Sequence, residues 1–211
     1  MIITKIFDKK AGNVKVSNIN FTFNRHNSQR KDAPGKPRFI GNHWTVASRF
    51  HLYDDYHFNI SQVKEQVFVF QTLSWNEKGQ HLWQRNTGAV GITFCGMSNN
   101  GKEDLLTPEM IDAGAILNAE ICAWKNINPL ELITLQKKKY INQDHRQMLV
   151  DIPGQTIQVQ GITDHATFGK LDGYGNIDIG EFFEPLQENA RQYYLDLKTN
   201  KRKFIFLDFF Q

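Results

Sequence analysis

Apolar and polar positions alternate at period two in Tyr56-His57-Phe58-Asn59-Ile60, in the run Gln66 to Leu73 and in Thr156 to Thr163, and the pattern predicts strands there. The segment Ala89-Val90-Gly91-Ile92-Thr93-Phe94-Cys95 is almost continuously apolar, which predicts a central strand covered on both faces. Phe39 to Thr45 reads as a short strand, residues 1–23 as one or two strands around Gly12-Asn13, and Phe204 to Phe210 as a closing strand. At Thr107-Pro108-Glu109 the pattern changes to a helical one. Thr107 is a good N-cap, Pro108 fits the first turn, and an apolar face runs from Met110 to Trp124 before Asn126. A second helix is expected over Phe182 to Lys198. Residues 24–38 and the stretch from Ser74 to Thr87 read as polar loops, and residues 126–156 as an irregular polar insertion. The fold class is therefore α/β, a central mixed sheet flanked by helices. With no repeat or linker, residues 1–211 are read as one domain.

Composition changes this picture little. Hydrophobic residues make up 40% and charged residues 22%, values ordinary for a globular chain. The net charge is +3, and the basic clusters at Arg25 to Arg38, Lys137 to Lys139 and Lys198 to Lys203 lack interleaved stacking aromatics. They are read as solvated faces, with contact to an anionic partner as the alternative and no nucleic acid expected. Cys95 and Cys122 stand in apolar surroundings and read as buried free thiols. The first residues lack the apolar core of a signal peptide, and no apolar run approaches the ~18 residues that span a bilayer. A monomer made in the cytoplasm, with no membrane insertion, is the expectation.

Candidate chemistry lies among the seven histidines. His43 and His165 stand at the ends of predicted core strands, where an α/β fold gathers its site residues, and Asp178 follows in Asn176-Ile177-Asp178. Two imidazoles and a carboxylate leave one tetrahedral position of a zinc ion open, and such an ion lowers the pKa of water towards ~7.

The wording and order of five segments resemble the N-acetylmuramoyl-L-alanine amidases, relatives of the peptidoglycan recognition proteins and of single-domain phage amidases. The segments are His43-Trp44-Thr45; Tyr56-His57-Phe58-Asn59-Ile60; Trp75, Gly79, His81 and Asn86 leading to Val90-Gly91-Ile92; Thr163-Asp164-His165-Ala166; and Asp178-Ile179-Gly180, together spanning about residues 39–183. The resemblance implies zinc ligands His43, His165 and Asp178, with Asp172 a rival for the third place, and a groove that binds peptidoglycan. It implies substrate contacts from His81, Trp75, Asn86 and Thr87, although Asn86 and Thr87 are also suited to capping the turn before Gly91. His57 is read as a core histidine, with a supporting role at the site as the alternative.

Two departures bear on mechanism. Relatives carry a Glu or a Tyr that helps activate water, and the matching positions are read here as Thr93 and Phe70, neither of which is a base. The cationic residue two before the last ligand is replaced by Asn176, so Lys170 becomes the candidate oxyanion donor, with a plain surface lysine as the alternative. The function implied is a zinc amidase of phage or prophage endolysin type, reaching the cell wall after release. A muropeptide-recycling amidase of the cytoplasm and a non-catalytic peptidoglycan-binding module are the alternatives.

Overall fold

The computed structural model describes residues 2–5, 19–23, 36–49, 51–75, 77–96, 105–143, 146–176 and 178–205. Its main sheet has seven strands in the order β1 (Ile2–Lys5), β2 (Ile19–Phe23), β5 (Gln66–Gln71), β4 (Phe58–Val63), β6 (Ala89–Phe94), β3 (Phe39–Trp44) and β9 (Ile162–Asp164). Strands β4, β6, β3 and β9 run parallel to one another, while β5 is antiparallel to β4. All six positions of both β3 and β6 are buried, as the apolar run of β6 requires.

One face of this sheet is covered by α1 (Pro108–Lys125) and by α3 (Phe183–Lys198), which packs on α1. Helix α1 begins as its sequence predicts: Thr107 is extended and its hydroxyl accepts from the amide of Met110, with Pro108 at the first turn. Asn126 ends it in the left-handed conformation, with φ of 55°. Every residue from Met110 to Cys122 is buried, so the helix is enclosed on all sides rather than amphipathic. Tyr193 of α3 donates its hydroxyl hydrogen to Asp112 inside this layer.

The structure departs from the sequence reading at residues 126–156. Leu132–Gln143 (β7) and Arg146–Gln160 (β8) form a long antiparallel hairpin, with a register shift between Gln136 and Lys138. Most of its residues are exposed or half-buried, so only its base, at Thr156 to Gln160, shows the apolar alternation that reveals a strand. Its base covers a second small core of Phe39, Leu82, Ala89, Ile157, Val159 and Phe168. The expected strand from Phe204 is not found at Phe204 and Ile205, and the rest of it lies outside the described residues. Cys95 and Cys122 are buried and free. Among the described residues no helix is long and apolar enough to cross a membrane.

Candidate metal centre

Strand alternation decides which side chains meet. The buried amides of Asn42 on β3 and Asn118 on α1 bond each other reciprocally, at 3.1 and 3.0 Å, so Asn42 faces α1. Its neighbour His43 therefore points to the opposite face. There it stands beside Thr93, its partner in the β3–β6 register. Strand β9 pairs with β3 through Asn42 and Asp164, which brings the next residue, His165, alongside His43. His165 opens α2 (His165–Asp172), and Asp164 caps that helix by accepting from the amide of Thr167 at 2.9 Å. After α2 the chain turns through Gly173 and Gly175, both at positive φ that suits glycine, and returns to the same place. The Ala166 amide donates to the carbonyl of Asp178, which ties the start of α2 to the returning segment.

The three sequence-predicted metal residues converge: each of His43, His165 and Asp178 offers a ligand atom within 4.8 Å of the others. His43 Nδ1 lies 3.0 Å and His165 Nδ1 3.4 Å from the same oxygen, Asp178 Oδ2. Zinc–ligand bonds of 2.0–2.2 Å in a tetrahedron set ligand atoms about 3.3 Å apart, so these separations fit zinc. The other carboxylate oxygen accepts from the Trp44 amide. Asn176 completes the support, its side-chain amide facing His165 Nδ1 at 3.3 Å while its oxygen accepts from the Asp178 amide at 2.6 Å.

The protonation states suit a ligand set. Burial lowers the pKa of His43, against the opposing pull of Asp178, and so favours the neutral imidazole that binds metal. Burial works against the Asp178 charge, but the field of His43 and hydrogen bonds from His165, His43 and the Trp44 amide outweigh it and hold its pKa below the usual value. The Nε2 atoms of His43 and His165 are buried without hydrogen-bond partners among the described residues. His57 is the contrast. Its Nδ1 accepts from the Gly91 amide at 3.0 Å, so Nε2 carries the proton and donates to the Glu77 carbonyl at 3.0 Å. Burial pushes its pKa down to about 4, the state of a core histidine fully bonded to backbone.

The remaining predicted site residues spread out. His81 is buried with its ring centre 5.4 Å from that of His43, and it lies so close over β6 that a Cβ at Gly91 would fall 2.4 Å from the ring. Thr93 is buried beside His43, and its hydroxyl has no well-formed hydrogen bond among the described residues. Asn86 accepts from the amides of His81 and Leu82, so it caps the turn, and Thr87 is exposed. Trp75 packs against Phe58 and Trp124, which places it on the α1 side. Lys170 is exposed on α2, five residues from His165 and hence about 140° around the helix from it. Asp172 lies outside the metal cluster: its carboxylate is buried in a two-point pair with Arg85, at 2.6 Å for each contact.

One site residue escaped the sequence reading. Tyr56 packs against His43, with ring centres 5.1 Å apart, and lies within the field of Asp178. Burial raises its pKa further above the ordinary tyrosine value. Its signal was present in the Tyr56-His57-Phe58 segment, but the order of segments matches the phenol position to Phe70, which stacks on Phe68 of the same strand.

No protein-family model matches the chain, and no curated protein sequence matches it either. Its fold does match solved structures. The crystal structure of Staphylococcus aureus hydrolase AmiA in complex with its ligand superposes with a TM-score of 0.53 at 12% identity, covering 88% of this chain and 87% of that one. The catalytic domain of XlyA does so with a TM-score of 0.50 at 14% identity, covering 81% of this chain and 99% of that one. At these identities the likeness establishes the fold, a mixed α/β sheet flanked by helices.

Proposed function

We propose that this chain is a zinc-dependent N-acetylmuramoyl-L-alanine amidase, which hydrolyses the amide between the lactyl group of N-acetylmuramic acid and the first stem residue, L-alanine, of peptidoglycan. The observation that carries this reading is the convergence of His43, His165 and Asp178 at separations that fit one zinc ion. Two further facts support it: the five ordered sequence segments that resemble this amidase family, and a fold shared with the hydrolase AmiA. The role of a phage or prophage endolysin acting on the cell wall follows from the same resemblance and belongs to the proposal.

A zinc ion held by these residues supplies Lewis acidity, for polarising a carbonyl and for acidifying water. The chain's own groups set the stage for it. Asp178 stays ionised, fixed by the Trp44 amide and by Asn176, and the buried His43 stays neutral. The Tyr56 hydroxyl keeps its proton through the physiological range, because burial raises its pKa. It is therefore a hydrogen-bond donor rather than a base. In this reading the phenol packed on His43 donates to the lactyl carbonyl oxygen as negative charge grows on it, in place of Lys170, which is exposed and on the far side of its helix.

Isolated peptidoglycan digested with the protein, followed by mass spectrometry of the soluble products, tests the reading. The expected products are stem peptides with a free L-alanine amino group, beside uncut glycan strands. New reducing sugar ends, or shortened peptides still joined to muramic acid, would refute it.

A further inference from the structure

Beyond the metal centre, a line of aromatic rings leads away from His165. Tyr174 lies 5.7 Å from His165, Trp83 lies 5.3 Å from Tyr174, and Tyr140 of β7 lies 5.6 Å from Trp83, all measured between ring centres. All three side chains are half-buried. Tyr174 rests on the small core beneath the hairpin, whereas Trp83 and Tyr140 join neither hydrophobic cluster. Two large rings left out of the core need a reason, since about 150–250 Å² can be buried by each such side chain.

The supports of these rings are rigid. Trp83 stands between two anchors: Leu82, fully buried over Gly41, and Arg85, buried in its pair with Asp172. Asn86 caps the same turn from below. The hairpin is fastened by the same ion pair. Both terminal nitrogens of Arg85 donate to the Gln136 carbonyl at 3.1 Å, and the Lys138 amide donates to Asp172 Oδ1 at 3.2 Å. These bonds fall on the two residues that flank the register shift of β7, and Tyr140 follows on the same strand. The bulge thus re-aims the strand while the ion pair holds it. An aromatic surface fixed in this way meets a ligand with little loss of conformational freedom.

Resting on the amidase reading, we propose that Tyr174, Trp83 and Tyr140 form a carbohydrate subsite, on which pyranose rings of the glycan strand stack as the strand runs out from the metal centre along the hairpin. The apolar faces of the sugar rings cover the aromatic faces, and the stem peptide is left to lie at the metal. The hairpin is then a part of the substrate groove, and glycan recognition is separate from amide cleavage.

The test uses the full chain and two probes that contain no scissile amide: a peptide-free oligosaccharide of alternating N-acetylglucosamine and N-acetylmuramic acid, and the free stem peptide. Binding is followed by calorimetry for the wild type, Trp83→Ala, Trp83→Phe and Tyr140→Ala, with thermal unfolding of each variant recorded. The oligosaccharide is expected to bind the wild type, about tenfold more weakly to each alanine variant, and with affinity largely restored in Trp83→Phe. Equal binding by folded alanine variants, or no binding of the oligosaccharide while the stem peptide binds, would overturn the subsite. Should an alanine variant unfold, Trp83→Phe and the two probes on the wild type decide the matter. Oligosaccharide binding as expected, without peptide release from peptidoglycan, would sink the amidase reading and leave the subsite standing.

Discussion

Asp172 and Asp178 flank one glycine-rich loop and have different surroundings. Asp178 meets two imidazoles and a backbone amide, whereas Asp172 is neutralised by Arg85 with side chains 0% and 5% exposed. Replacing Asp178 by Asn is expected to abolish zinc binding. Replacing Asp172 by Asn leaves Arg85 buried without its counter-charge, so zinc is retained while stability falls by about 3 kcal/mol. Metal analysis and urea unfolding of the two variants distinguish these roles, and zinc loss that follows Asp172 would reverse the assignment. His57 gives a second prediction. Its folded pKa of about 4 lies below the ordinary 6.5, so between these values the unfolded chain binds the extra proton. Stability is complete above pH 6.5 and declines as pH falls towards 4, by about 3 kcal/mol from this residue. Denaturant unfolding at pH 7 and at about pH 4.5 should show a smaller pH-dependent loss in His57→Gln than in the wild type. Equal losses would mean that His57 is not held neutral by the fold.

At the scale of elements, what the sequence disclosed follows from how local each cause is. The start of α1 was legible because Thr107, Pro108 and Glu109 act within one turn, and Thr107→Ala is expected to lower stability by about 1 kcal/mol in thermal or denaturant unfolding. A change below the error of measurement would show that Pro108 and the buried face of α1 suffice. Strand β6 was legible because burial on both faces leaves an almost continuous apolar run, and β3 because its start, Phe39-Ile40, is apolar. The β7–β8 hairpin was legible only in its last residues, Thr156 to Gln160, because the cause of the rest is distant. Arg38 donates to the Thr134 carbonyl, and Arg85 and Asp172 hold Gln136 and Lys138, from positions far away in the chain. The same holds within the site. His43, His165 and Asp178 carry metal-binding chemistry that can be recognised one residue at a time, whereas the closeness of Tyr56 to His43 is a product of packing that only the fold reveals.

For the molecule as a whole, the α/β architecture expected from the segment order is the one found, and its use is to bring three distant pieces of chain to one point. The end of β3 supplies His43, the start of α2 supplies His165, and the returning loop supplies Asp178. Against the other face, α1 and α3 close the main core, leaving the site face to the loops and the hairpin. The proposed activity requires this candidate metal centre for cleavage of the lactyl amide. It is tested most directly by measuring zinc per chain and stem-peptide release from peptidoglycan in one sample, before chelation, after it and after zinc is restored. About one zinc per chain is expected, in keeping with the three-residue set found among the described residues, with metal and release lost together and regained together. Undiminished release from metal-free protein, or a full complement of zinc with no peptide released, would contradict it.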